Sequence, residues 1–223
     1  MLLKQLLMSF LIRNQKEINI IGRTSCSVTF TEMAFPKKDY YRVGNTVWKL
    51  IIKHKINSLP VDLYKILREE NIMLATYKSS AKIFEIIDKN LAENNLGFSL
   101  KIKNNYYIFY NDSVPEIIQR FTIAHEIGHI KLKHFYSENH KNDEKEANMF
   151  AARLLMPMCI LYECNVDSVK EISIMCKVSN SAARFRYKRL QLVKLRNKFY
   201  VNKNEFKVKL LFKKFIENYI KNK

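Results

Sequence analysis

The chain is short of glycine, proline and cysteine, with 4 of each in 223 residues, and it carries only 5 histidines and 1 tryptophan. Its cysteines, Cys26, Cys159, Cys164 and Cys176, form no C-x-x-C pair. The step from Cys159 to Cys164 suits neither a zinc knuckle nor a redox motif. The apolar stretch from Met1 to Ile12 lacks a small-residue cleavage site, so a secretory leader is not expected. The same stretch is far too short to span a bilayer, and no transmembrane segment is expected. The thiols therefore read as reduced and buried in a cytoplasmic protein. Acidic residues are also scarce, 21 against 39 lysines and arginines, for a net charge of +18. That excess is local. Arg184 to Lys223 holds 14 basic and 2 acidic residues, which is 12 of the 18 charges.

Against so few histidines, one cluster stands out: His125-Glu126-Ile127-Gly128-His129, or H-E-x-x-H. From this composition the pattern arises by chance on the order of one time in a hundred. It lies in an apolar-periodic stretch, Phe121 to Ile130, that reads as helix. Residues four apart share a helical face, so both imidazoles can reach one zinc ion with Glu126 beside it. Glycine inside a helix costs roughly 1 kcal/mol against alanine, so a scarce glycine at position 128 points to close packing behind the metal.

A catalytic zinc site needs a third protein ligand and an open position for water. A second helix is expected downstream, capped by Asn142 or Asp143 and stopped by Pro157, with Ala147, Phe150, Ala151, Leu154 and Leu155 as its apolar stripe. Glu144 and Glu146 compete for the third ligand. Glu144 shares a face with Asn148, which can orient it as a supporting partner, whereas Glu146 points about 200° away on a helical wheel. Glu144 is favoured. Such a site activates water for attack on a peptide carbonyl, with Glu126 as general base and then acid. His134, His140 and Tyr136 are candidates for stabilising the oxyanion. His134 lies five residues after His129 and off its face, and reads as a solvated helix-end residue.

The string Arg120 to His129, followed by Glu144-x-x-Ala147-Asn148-x-Phe150-Ala151-Ala152-x-Leu154-Leu155-Met156-Pro157, resembles the ImmA/IrrE family of zinc metallopeptidases. Weaker similarity extends from about Val47 to Leu192. The resemblance implies a gluzincin-like Zn2+ site with His125, His129 and Glu144 as ligands and Glu126 as base. It also implies a bacterial or phage-borne protein that cleaves a helix-turn-helix transcriptional repressor, an antirepressor. Two other functions remain open: a zinc-binding regulatory or partner-binding module with little turnover, and the toxin-like protease of a toxin–antitoxin pair.

The expected fold class is α+β, a small zincin-like domain of helices packed on a short sheet, with a helical C-terminal subdomain. Helices are expected over 45–56, 61–70 and 80–93, the last with Ile83, Ile86, Ile87 and Leu91 on one face. A strand is expected over 72–77, a hairpin turning at Asn104-Asn105, and the motif helix opening at Pro115. The division runs 1–40 as an N-terminal extension (β-like over 19–30, with Met33 an alternative start), 41–157 as the peptidase domain, 158–192 as a helix-turn-helix-like subdomain and 193–223 as a basic extension. In the third segment Arg184, Arg186, Lys188 and Arg189 offer contact to DNA or a partner protein. The preferred reading there is a subdomain packed on the core. Phe206 to Ile220 reads as one amphipathic helix packed by its apolar face. Non-specific nucleic-acid contact, an acidic partner and a membrane surface are alternatives.

Overall fold

Pro36 and Asp39 start the first helix earlier than the periodicity suggested. It runs Lys37–Lys53 (α1) and buries Val43, Val47, Leu50 and Ile51. The computed structural model describes residues 18–21, 36–87, 95–196 and 202–223. The stretch Met1 to Ile12, Cys26, residues 22–30 and the alternative start at Met33 lie outside the described residues, as does the apolar face expected for 80–93.

After α1 come α2 (Leu63–Glu69), β2 (Ile72–Thr76) and α3 (Tyr77–Ile87). Asp62 caps α2 by accepting from the Lys65 amide. The expected hairpin is present as β3 (Gly97–Ile102) and β4 (Asn105–Tyr110), but it turns one residue early, at Lys103, whose φ is 54°. With β1 (Ile18–Ile21) these strands form one mixed sheet in the order β1-β3-β4-β2, parallel between β2 and β4 and antiparallel elsewhere.

The motif helix is α4 (Glu116–Leu132), opened by Pro115 and ended by Lys133 in the left-handed region at φ 63°. A 3-10 turn, His134–Tyr136, leads to α5 (His140–Leu155). The α5 cap is Asn139, which accepts from the Asn142 amide, and not Asn142 or Asp143 themselves. Helices α6 (Met158–Glu163), α7 (Val169–Cys176) and α8 (Asn180–Leu195) follow. The stretch expected as one C-terminal helix is two, α9 (Lys203–Leu211) and α10 (Lys213–Lys221), broken at Phe212.

Helix α4 lies between β3 and β4 on one side and α5 on the other. One apolar cluster draws on residues from Val43 to Phe212, with Phe150, Val208 and Phe212 fully buried. The C-terminal helices are thus packed on the core, and Tyr219 donates to Glu171. The architecture is α+β, as expected. Among the described residues no helix is long and apolar enough to cross a membrane. Cys159, Cys164 and Cys176 are free and buried, and burial pushes their thiols up to about 12.

Candidate metal centre

Residues Thr122 to Ile130 are buried without a break. A helix buried all round must find partners inside the protein for each of its polar side chains. For His125, Glu126 and His129 those partners come from α5, β3 and the 3-10 turn, while Thr122 Oγ1 has no hydrogen-bond partner among the described residues. The close approach is permitted by Gly128: a Cβ there would meet three side-chain atoms of Phe150 at 3.1 to 3.2 Å. The packing reason expected for this glycine is therefore present.

His125 Nε2 and His129 Nε2 are 2.9 Å apart, and Glu144 faces both, with Oε2 3.3 Å from His125 Nε2 and Oε1 3.3 Å from His129 Nε2. Tetrahedral ligands bonded to zinc at about 2.0–2.1 Å sit about 3.3 Å from each other. Two imidazole nitrogens and one carboxylate at this spacing fit a zinc ion with a fourth position free. Burial is the largest influence on all three groups, and the balance differs among them. It lowers His129 to about 4, leaving a neutral ring with a lone pair to give. For His125 the neighbouring Glu144 and Glu126 outweigh burial and raise it. Glu144 is held well below the usual carboxylate range, because the two histidines overcome its burial.

Glu126 is fully buried, and its Oε2 accepts from Ser99 Oγ on β3 at 2.8 Å. Its charge adds to burial in raising the Tyr77 hydroxyl. The supporting contacts differ from expectation. Asn148 bonds His125, with Oδ1 2.9 Å from Nδ1, where the sequence suggested that it would brace Glu144. His134 is not a solvated residue. It is buried, with Nδ1 2.9 Å from His129 Nδ1 and Nε2 3.0 Å from Glu146 Oε2. The left-handed residue Lys133 turns the chain out of the helix and folds His134 back under His129. Glu146, the rejected ligand, is buried in this second cluster and also accepts from Arg42. His140 and Tyr136 are exposed.

Of the four basic residues offered for DNA or partner contact, Arg184 and Lys188 are exposed. Arg186 is only 5% exposed, and it donates from Nε to the Met156 carbonyl at 2.7 Å and from Nη2 to the Ala152 carbonyl, closing the end of α5. Arg189 donates to the Tyr40 hydroxyl at 2.6 Å. These two are tied into the protein because the C-terminal carbonyls of α5 and the Tyr40 side chain lie against α8.

Beyond His125, toward the start of α4, an apolar cavity of about 330 Å³ opens between Leu96, Val114, Ile118, Phe121, Val178 and Ala182. The Phe121 ring lies 6.5 Å from that of His125. At the other end of the helix, Lys131 donates to Glu70, which also accepts from Lys53 Nζ at 2.7 Å and meets His54 Nε2 at 2.6 Å. Burial pushes the Glu70 carboxyl up, but these three partners outweigh it and hold it down at about 2.

An α+β fold that places an H-E-x-x-H helix against a second helix bearing a carboxylate defines a metallopeptidase-type centre. The model of the M78 peptidases, an IrrE N-terminal-like domain, matches residues 83–197, just over half of the chain, and the protein belongs to this family. The matched region includes α4, α5 and the α6–α8 segment. No curated protein matches the chain.

Proposed function

We propose that the protein is a zinc-dependent endopeptidase acting on a protein substrate in the cytoplasm, with His125, His129 and Glu144 as metal ligands and Glu126 as general base. The observation that carries this reading is the meeting of three ligand atoms beside a buried carboxylate held by a strand hydroxyl. A zinc ion bound there supplies Lewis acidity to a water molecule and to the scissile carbonyl. Glu126 takes the proton of the attacking water at one carboxylate oxygen while Ser99 holds Oε2. It then hands the proton to the departing amine. Asn148 and His134 hold the two ligand rings in orientation. The apolar cavity beside Phe121 offers a place for an apolar substrate side chain next to the cleaved bond.

The substrate we favour is a helix-turn-helix repressor, on the strength of the family resemblance. The test is to incubate the zinc-loaded chain with a small repressor encoded next to it and to map fragments by mass. One discrete cut, abolished by chelator and by Glu126→Gln, is the expected result. If Glu126→Gln keeps full biological output while still binding zinc, the protein acts as a binding module and the peptidase reading fails.

A further inference from the structure

Each imidazole that ligates zinc through Nε2 must carry its proton on Nδ1, and something must accept that proton. For His125 the acceptor is the amide oxygen of Asn148. For His129 the only Nδ1 contact described is another imidazole, His134 Nδ1, at 2.9 Å. Two ring nitrogens bond at that distance only if one of them bears the proton. We propose that His134 and Glu146 are positioning residues that fix the proton of His129 on Nδ1 and so keep its Nε2 lone pair turned toward the metal.

The hydrogen-bond inventory decides the direction. Glu146 accepts from Arg42, and Asn142 Nδ2 donates to its Oε1 at 3.3 Å. A carboxylate paired with a guanidinium is ionised and only accepts. His134 Nε2, 3.0 Å from Oε2, must therefore donate. A neutral His134 with its proton on Nε2 has a bare Nδ1, which accepts from His129 Nδ1. Every proton from Arg42 to His129 is then placed. The opposite polarity would put the His129 proton on Nε2, where the ligand lone pair is required.

The same inventory disposes of a rival. His134, Asp143 and Glu146 are three buried residues whose ligand atoms lie within 4.8 Å of one another, and Asp143 Oδ2 has no hydrogen-bond partner. A second cation there would need the Nε2 lone pair of His134. That moves the His134 proton to Nδ1, against the Nδ1 proton of a metal-bound His129. It would also set the ion beside Arg42.

The arrangement explains how three α5 residues, 144, 146 and 148, serve one centre although 146 points away from the other two. Glu144 faces the ligand pair, Asn148 reaches His125 one turn later, and Glu146 reaches His129 through His134. The inference rests on the metal-site reading but not on turnover.

The test uses the full chain and reads zinc affinity by chelator competition, together with the His129 tautomer by nitrogen-15 NMR of the metal-free protein. Wild type should show His129 protonated on Nδ1 and bind one zinc per chain. His134→Phe should shift the tautomer toward Nε2 and weaken zinc binding about 10- to 100-fold. His134→Asn places an amide oxygen where Nδ1 stood, the acceptor that Asn148 offers His125, and should restore affinity to within about fivefold of wild type. Circular dichroism checks that both variants fold. Equal affinities for the Phe and Asn variants would overturn the proposal. So would a second zinc per chain lost with His134. Normal zinc and tautomer results in a chain that cleaves nothing would leave the positioning role standing and remove the peptidase reading.

Discussion

Charge is used differently in the two halves of this molecule. Where α4 meets α5, Glu126, His125 and His134 are buried, and each touches a specific partner: Glu126 with Ser99, His125 with Asn148, His134 with Glu146. Along α8 to α10 most of the lysines stand at the surface. Burying an unpaired charge costs several kcal/mol, so a group kept in the interior has a reason to be there, while a surface lysine needs none. The second cluster, His134 with Glu146, stands on the interior side of that contrast. Arg186 is the exception that confirms the physical rule. It comes from the basic half, yet it is buried, and it has carbonyls to hold it.

Substitutions can break or sharpen this division. The largest effect is expected at Glu126→Gln, which keeps the shape and removes the carboxylate proposed as base. Peptide cleavage should fall by about 10²- to 10⁴-fold with zinc stoichiometry unchanged. Phe150→Ala empties the contact behind Gly128 and should cost about 3–5 kcal/mol in urea unfolding. Arg186→Met should cost about 1–3 kcal/mol, since it strands the Met156 carbonyl, whereas Lys188→Ala should stay within about 0.5 kcal/mol. A matched loss for both would erase the distinction between buried and surface charge.

Acid offers a further test. The Glu70 carboxyl is lower in the folded chain, at about 2, than in the unfolded chain, so it stabilises fully above the ordinary carboxylate value. That contribution is lost as pH falls from the ordinary carboxylate value toward 2. Its size is about 1–2 kcal/mol after solvent screening. Unfolding free energies of Glu70→Gln and wild type should converge in that window. Curves that stay parallel would show that Glu70 does not tie α2 to α4. A small effect is also expected for Gly128→Ala. Its helix propensity gains roughly 1 kcal/mol but its Cβ presses on Phe150, and a net loss of about 1 kcal/mol is expected. Adding Phe150→Leu should recover that loss.

What could be read from the sequence was what depends on one helix at a time. The spacing of His125 and His129, the third carboxylate at Glu144 and the packing role of Gly128 each follow from positions on a regular helix. His134 was misread because the same rule was carried past Lys133, where the helix ends in a left-handed residue and the chain doubles back. Glu146 was set aside by its helical-wheel angle, which says nothing about a bridging side chain from another segment. Ser99 was missed altogether. It is a lone hydroxyl in an apolar strand, Phe98-Ser99-Leu100, and the signal was a polar residue at a buried position. Its partner lies 27 residues away, across a sheet register that no local pattern encodes. Arg186 looked like one more surface charge, since periodicity does not reveal which carbonyls end nearby.

The hydroxyl on β3 has one more consequence. Ser99 pairs with Ile108 in the β3–β4 hairpin, and a slip of one residue would turn Phe98 or Leu100 toward Glu126 instead. A misregistered chain would then hold a buried carboxylate against hydrocarbon. The strand alignment thus also decides whether Glu126 keeps a hydroxyl partner, and a chain with the hairpin out of register loses the buried Ser99–Glu126 pair.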